Sequence, residues 1–425
     1  MKKIKISGAG EYIYEHQMAN GFKIYMWPYT SAKETYMTLT VKYGSVHTKF
    51  AIGKNNYEVP NGLAHFLEHI KFNENDNLTA HEYFTKMGSY TNAYTTYDHT
   101  SYEVICTSNI DKNLEHLLYF VYNPFFKESL IEKEKPIIVE ESKMMQKNPY
   151  NMGYQRLLNN LFSGNNKRFL VTGSEDDINS ITMDDVMNVY NNFYVPDNMF
   201  LVVTGNFNPE DIINNCNQFF EKREYSNFKA KVVIPDESDK VQKNNDTLAV
   251  NINKPKSMVA LKINKDKFPK CDRLHLSILI NILLSINFSV TSSFYDRLLS
   301  KGTIDYLETR CSIEENHLCI FVEASGDNPD KIANEIRKKF KKLTFDKKDF
   351  LRKNKTYIAA AILGYDDVNE VNNNIRMDIM KYNRIVNEYS DILKSINASD
   401  GEKIVESIKA YDVTSLSLVP IKKSS

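Results

Sequence analysis

Residues 61–70 read Asn61-Gly62-Leu63-Ala64-His65-Phe66-Leu67-Glu68-His69-Ile70. Helical periodicity runs through 62–72, and on a helix the four-residue step from His65 to His69 turns about 400°, leaving the two imidazoles on one face about 40° apart. Two ligands so placed can share one ion. Glu68 falls beside them, near enough to act on a water at the same site without ligating. A zinc ion lowers the pKa of a bound water toward about 7 and polarises a scissile carbonyl, while a neighbouring carboxylate takes and returns a proton. The reaction so equipped is amide hydrolysis. H-x-x-E-H fixes only three residues and arises by chance in unrelated helices. The flanks weigh the other way: Phe66, Leu67 and Ile70 make this a largely buried helix, where two imidazoles beside a carboxylate are costly without an ion.

A catalytic zinc needs a third protein ligand and an open position. The segment 131–146 offers Glu132, Glu134, Glu140 and Glu141. Glu134, Ile138, Glu141 and Met145 form one stripe at helical spacing, whereas Glu140 points with Lys133 and Lys143, so Glu141 is the preferred ligand. Without the upstream histidines, an ordinary charged amphipathic helix would be the better account of this segment.

Outward from these two helices, the chain has 425 residues, enough for two domains. Lys plus Arg and Asp plus Glu are equal at 54 each, so net charge calls for neither nucleic acid nor an anionic membrane surface. The N-terminus is basic but lacks an apolar region behind it and is not expected to be a secretory signal. The run 274–290 is broken by His275, Asn281 and Asn287 and is expected to be a buried helix, with no transmembrane span. The 5 cysteines are scattered without C-x-x-C spacing, against a disulfide framework or thiolate zinc site and in favour of a cytoplasmic location.

Alternation at 22–27 and 36–43 predicts half-buried antiparallel strands, and Thr, Tyr and Val enrich two more at 90–97 and 101–107. Helices are expected at 80–87, 111–122, 129–145, 153–162 and 183–193, then a strand at 199–204. The charged, Pro-containing stretch 223–246 is the natural linker. Beyond it the order repeats: strands within 248–263, a helix at 272–286, strands at 306–312 and 318–324, helices from 330 onward and a strand at 415–419. The repeat predicts an internal duplication, with domains 1–222 and 247–425. The later helix has no H-x-x-E-H, so one zinc per chain is expected.

Several landmarks together resemble the pitrilysin and insulinase family of inverzincin metallopeptidases, in the short-chain branch of mitochondrial processing peptidase and its bacterial homologues. They are Asn61 to Ala64 before the motif; Thr91-Asn92-Ala93-Tyr94-Thr95 with Thr100 and Tyr102; Glu132-Lys133-Glu134-Lys135 leading to Glu140-Glu141; and Tyr194-Val195-Pro196-Asp197-Asn198-Met199 followed by Gly205. The resemblance implies an α+β fold of two tandem α/β-sandwich domains, each an antiparallel-rich sheet packed with helices, forming half of a clamshell. It implies zinc on His65, His69 and Glu141, Glu68 as general base, Glu134 as a supporting carboxylate, and Asn92 and Ala93 on an edge strand that receives the substrate backbone. Tyr306 matches a substrate-binding tyrosine of the later domain.

Two features depart from that pattern. Pro136 lies between Glu134 and Glu141, where proline is expected to kink or restart the helix. In Asp296-Arg297-Leu298-Leu299-Ser300-Lys301-Gly302-Thr303-Ile304-Asp305-Tyr306, Leu299 stands where the family carries an arginine. The expected assembly is therefore a heterodimer with a homologous zinc-free subunit that supplies the missing groups, a homodimer being the alternative. Substrates are expected to be short unfolded peptides such as leaders or targeting presequences. The rival from a different class is a catalytically silent structural or peptide-holding subunit of the same fold; intact His65, Glu68, His69 and Glu141 argue against it. His81, His116, His47, His275 and His317 show no ligand constellation, and His99 is a candidate for lining the cleft.

Overall fold

Strands Lys23–Pro28, Thr35–Val41 and Met199–Gly205 alternate, but both alternating sets are apolar or large. Ile24, Met26, Met37, Leu39, Leu201 and Val203 enter one core, while Tyr25, Trp27, Tyr36, Phe200 and Val202 enter another on the opposite face. These strands are therefore buried on both sides, not half-buried as their alternation suggested. The second face is covered by helix Val368–Tyr382, whose Val371, Ile375 and Ile379 join Trp27 and Phe200. Thr38 and Asn372 pair there: Thr38 donates to Asn372 Oδ1 at 2.7 Å, and Asn372 Nδ2 donates to the carbonyls of Tyr36 and Val202.

The computed structural model describes residues 1–409 and 411–421. It falls into two compact units. The first comprises Met1–Lys143, Phe169–Ile234 and Ala361–Tyr389; the second comprises Met144–Arg168, Pro235–Ala360 and the chain from Ser390 onward. This differs from the linear division at 223–246, because one helix from each half of the sequence packs on the sheet of the other half. Helical periodicity announces a helix but does not name the sheet it covers.

In the first unit a seven-stranded sheet runs in the order Lys2–Lys5, Tyr12–Gln17, Lys23–Pro28, Met199–Gly205, Thr35–Val41, Thr100–Cys106 and Tyr90–Thr95. Its neighbours are antiparallel except Lys23–Pro28 with Met199–Gly205. Tyr90–Thr95 lies at one edge, with Asn92 opposite Glu103 and Ala93 opposite Tyr102. In the second unit five strands run in the order Asn245–Val250, Asp412–Pro420, Lys256–Asn264, His317–Ser325 and Tyr306–Ile313, again antiparallel apart from the first pair. Those five repeat the wiring of the last five strands of the larger sheet, which realises the duplication read from element order.

Helix Pro149–Leu161 packs on Asp412–Pro420 and Lys256–Asn264, while Arg273–Phe288 packs on Tyr306–Ile313. The helical stretch Arg273–Ser300 is long and apolar enough, by length and composition, to cross a membrane. Its most apolar window is 61% buried within the protein, as a core helix is, with Ile280, Ile282 and Leu283 fully enclosed.

Candidate metal centre

The histidine helix is Leu63–Lys71. Gly62 caps it with φ of 83°, a left-handed conformation that favours glycine, and a Cβ there would lie 2.4 Å from the carbonyl oxygen of Thr172. That close approach has a purpose downstream, since Ser142 donates to the next carbonyl, of Gly173, at 2.8 Å. Ser142 sits beside Glu141 on helix Glu128–Lys147. The start of the histidine helix and the carboxylate helix are thus clamped through residues 172–173. Pro136 lies inside that helix, which is continuous through it rather than restarted.

Glu141 Oε2 is 3.3 Å from His69 Nε2, and Glu141 Oε1 is 3.7 Å from His65 Nε2. Ligands about 2.0–2.1 Å from a tetrahedral zinc are about 3.3 Å from one another, so these separations fit one ion. His65, His69 and Glu141 form a group whose ligand atoms all lie within 4.8 Å of one another. The electrostatics ask for a cation. His65 is buried, its Nδ1 has no partner among the described residues, and burial, followed by its neighbour His69, pushes its pKa down to about 4, leaving a neutral ring. Burial also opposes charge on His69, but the carboxylates of Glu134 and Glu141 overcome it and raise the pKa to about 9. The hydrogen bond to His69 holds Glu141 below its ordinary range. His69 Nδ1 lies 3.0 Å from Glu134 Oε1, a contact that orients the ring and leaves Nε2 directed at Glu141.

Glu68 is only 7% exposed, and burial raises its pKa to about 7, against an opposing hydrogen bond from Thr95. Thr95 Oγ1 donates to Glu68 Oε2 at 2.6 Å. Sequence reading had placed Thr95 only among family landmarks. Its link to Glu68 joins the edge strand to the histidine helix, and no periodicity could have signalled a contact across 27 residues. The Gly62–Thr172–Ser142 clamp was likewise invisible, although a glycine directly before a helix was the available hint.

Asn92 is exposed and Ala93 half-buried on the edge strand. Tyr306 belongs to the second unit, where its hydroxyl donates to Glu323 at 2.6 Å and Lys256 pairs with the same carboxylate oxygen at 2.8 Å. Leu299 is exposed at 45%, and Arg297 is engaged with Glu335 at 3.1 Å, so neither stands in for an unpaired arginine. His99 is buried among Asp98, Thr96 and Arg376 as a packing residue. His116 pairs with Glu74 at 2.6 Å and stacks on Tyr83.

The chain matches the insulinase (peptidase family M16) description over residues 29–172 and the peptidase M16 inactive domain over residues 180–355. A Bacillus subtilis (strain 168) protein named uncharacterized zinc protease YmfH is 31% identical, over 99% of this chain and 99% of its own. The mitochondrial-processing peptidase subunit beta of Neurospora crassa is 28% identical over 38% of this chain and 35% of its own. Among solved structures, a putative M16-like peptidase from Alicyclobacillus acidocaldarius has the same fold, with a TM-score of 0.90 at 23% identity, covering 96% of this chain and 98% of that one. With a relative matched end to end and two family segments in tandem, the chain belongs to the insulinase family of peptidases, family M16.

Proposed function

We propose that this chain is the zinc-bearing catalytic subunit of an endopeptidase that cuts short unfolded peptides, leader or targeting segments among them. The observation that carries the reading is the convergence of His65 Nε2, His69 Nε2 and the Glu141 carboxylate beside a buried Glu68. One zinc ion would be held by His65, His69 and Glu141, with Glu134 orienting His69. When bound, it supplies Lewis acidity to a scissile carbonyl and eases ionisation of the attacking water.

The chain's own residues do the rest. Asn92 and Ala93 lie on an edge strand whose outer side can add an extended peptide. Glu68, buried and held by Thr95, takes a proton from water and returns it to the leaving amide nitrogen. In this reading the unit comprising Met1–Lys143, Phe169–Ile234 and Ala361–Tyr389 is the catalytic one, and the unit containing Pro235–Ala360 is its metal-free homologue. Tyr306 belongs to the substrate-binding set of that homologue. Leu299 in the place of the family's arginine supports a heterodimer, in which a homologous zinc-free chain closes the clamshell and supplies the missing cation. Cytoplasmic location is the compartment proposed for it.

The test is bound zinc and cleavage of an unstructured peptide library by wild type and Glu68→Gln, with and without a co-expressed homologous chain. Wild type should carry zinc and cleave, and Glu68→Gln should carry zinc and fail by at least about 100-fold, the usual scale of lost general-base catalysis. A wild type without zinc, or equal cleavage by both forms, would leave the silent-subunit reading standing instead.

A further inference from the structure

Glu68 lies one residue from a ligand of the proposed ion, and its carboxylate must point at a water without swinging onto the metal. The backbone fixes the helix but leaves three side-chain torsions free. Among the described residues, its one hydrogen bond comes from Thr95, 2.6 Å to Oε2. The proton on Thr95 is not shared away. Its neighbour Thr100 lies 3.2 Å off but gives its own hydrogen to the carbonyl of Tyr43 at 3.0 Å, and the carbonyl of Ala64 is at 3.5 Å, the limit of a useful contact. A hydroxyl has one hydrogen, and a carboxylate only accepts, so the short contact commits that hydrogen to Glu68.

Thr95 is also the last residue of edge strand Tyr90–Thr95, with Thr100 as its cross-strand partner. Its side chain shares with Ala93 the face turned to the histidine helix, since residues two apart on a strand point the same way.

We propose that Thr95 is a positioning residue for Glu68, holding the base by one hydrogen bond from the strand that receives the substrate backbone. This rests on the peptidase reading above and deepens it: the strand that would seat the substrate backbone also carries the donor that orients the base. Thr95 is not among the residues that would hold the ion.

Thr95→Val keeps the β-branched shape and removes the donor, while Thr95→Ser keeps the donor. With the full chain and a cleavable unstructured peptide, Thr95→Val should lower kcat about 10- to 100-fold while KM moves less than about 3-fold. Thr95→Ser should restore kcat to within about 3-fold. In the non-cleaving Glu68→Gln background, adding Thr95→Val should leave bound zinc and the peptide Kd unchanged within about 2-fold, since the strand edge is intact. Wild-type kcat in Thr95→Val, equal losses in Val and Ser, or a Kd that weakens with kcat would overturn the proposal while leaving the peptidase reading in place. If Glu68→Gln itself cleaves like wild type, the peptidase reading fails and takes this proposal with it.

Discussion

The two units are wired alike and equipped differently. In each sheet one parallel pair is followed by three antiparallel strands, and a helix after the second central strand leads to the edge strand. In the first unit that helix is Leu63–Lys71, which is 9 residues long and carries two histidines and a glutamate. In the second it is Arg273–Phe288, 16 residues long, with leucine and isoleucine buried on nearly every side. The edge strands differ accordingly: Thr95 reaches Glu68, whereas Tyr306 is tied to Glu323 and Lys256 within its own sheet. Topology alone therefore does not make a metal site. The polar helix is tolerated in the first unit because every buried charge faces a partner or a ligand position, and the second unit spends the same position on core packing.

The sharpest way to break this comparison is to remove a proposed ligand from the first unit. His69→Ala takes away one Nε2 and strands Glu134, so bound zinc should fall from one per chain to none after dialysis, measured by elemental analysis. Residual stoichiometric zinc would mean that the second unit also binds metal. Glu134→Gln keeps the three proposed ligands and loses only the orienting charge, so its zinc affinity should weaken by about 10- to 100-fold, the usual cost of such a partner. Equal losses in the two variants would make Glu134 a ligand in its own right.

The next effect concerns the helices exchanged between the halves. A fragment ending at residue 222 lacks Val368–Tyr382 and bares Tyr25, Trp27, Tyr36, Phe200 and Val202 on one sheet face. At roughly 1.5–3 kcal/mol per large side chain, that is on the order of 10 kcal/mol, comparable with a whole domain's stability. The fragment should not fold cooperatively. Trp27 is the chain's 1 tryptophan and reports directly on this face, so its fluorescence should be solvent-like in the fragment and blue-shifted when 361–389 is fused back. A sharp unfolding transition for residues 1–222 alone would refute the exchange.

That exchange marks the limit of what could be read from sequence. The motif helix, the stripe through Glu134 and Glu141, and the edge strand at 90–95 were legible because each is a local pattern: a spacing, a helical phase, a run of β-formers. Strands Lys2–Lys5 and Tyr12–Gln17 were not, because they lie at the sheet's other end with mostly exposed or half-buried side chains and little alternation to detect. Pro136 was expected to kink or restart its helix; it does not restart it, and Glu128–Lys147 runs through, with Ile131, Ile138, Val139 and Ser142 on its buried side. Tertiary packing there outweighs the roughly 3 kcal/mol cost of an internal proline. Thr95 and the Gly62 clamp depend on contacts between distant segments, which no single stretch encodes.

The smallest expected effect separates the two exchanged helices by pH. Pro149–Leu161 contains no acidic residue, whereas Val368–Tyr382 carries Asp378, whose carboxylate accepts the Val386 N–H at 2.9 Å. Burial raises its pKa to about 7, against the opposing pull of that N–H, Lys381 and Arg384 and with Glu388 adding to the rise. The folded state thus holds a proton that the unfolded chain releases near pH 4. Between pH 4 and 7 this carboxyl binds more protons in the native form than in the unfolded, so its contribution to stability falls as pH rises, levelling off above 7. The total is on the order of 2 kcal/mol after allowance for partial exposure. Asp378→Asn retains an acceptor for Val386 and removes the titration, so the variant should match wild type near pH 4.5 and exceed it at pH 8. Amide exchange should show the slope in 368–382 and not in 149–161. Parallel stability curves for wild type and variant would place the proton elsewhere, and an equal slope in both helices would remove this distinction between the two units.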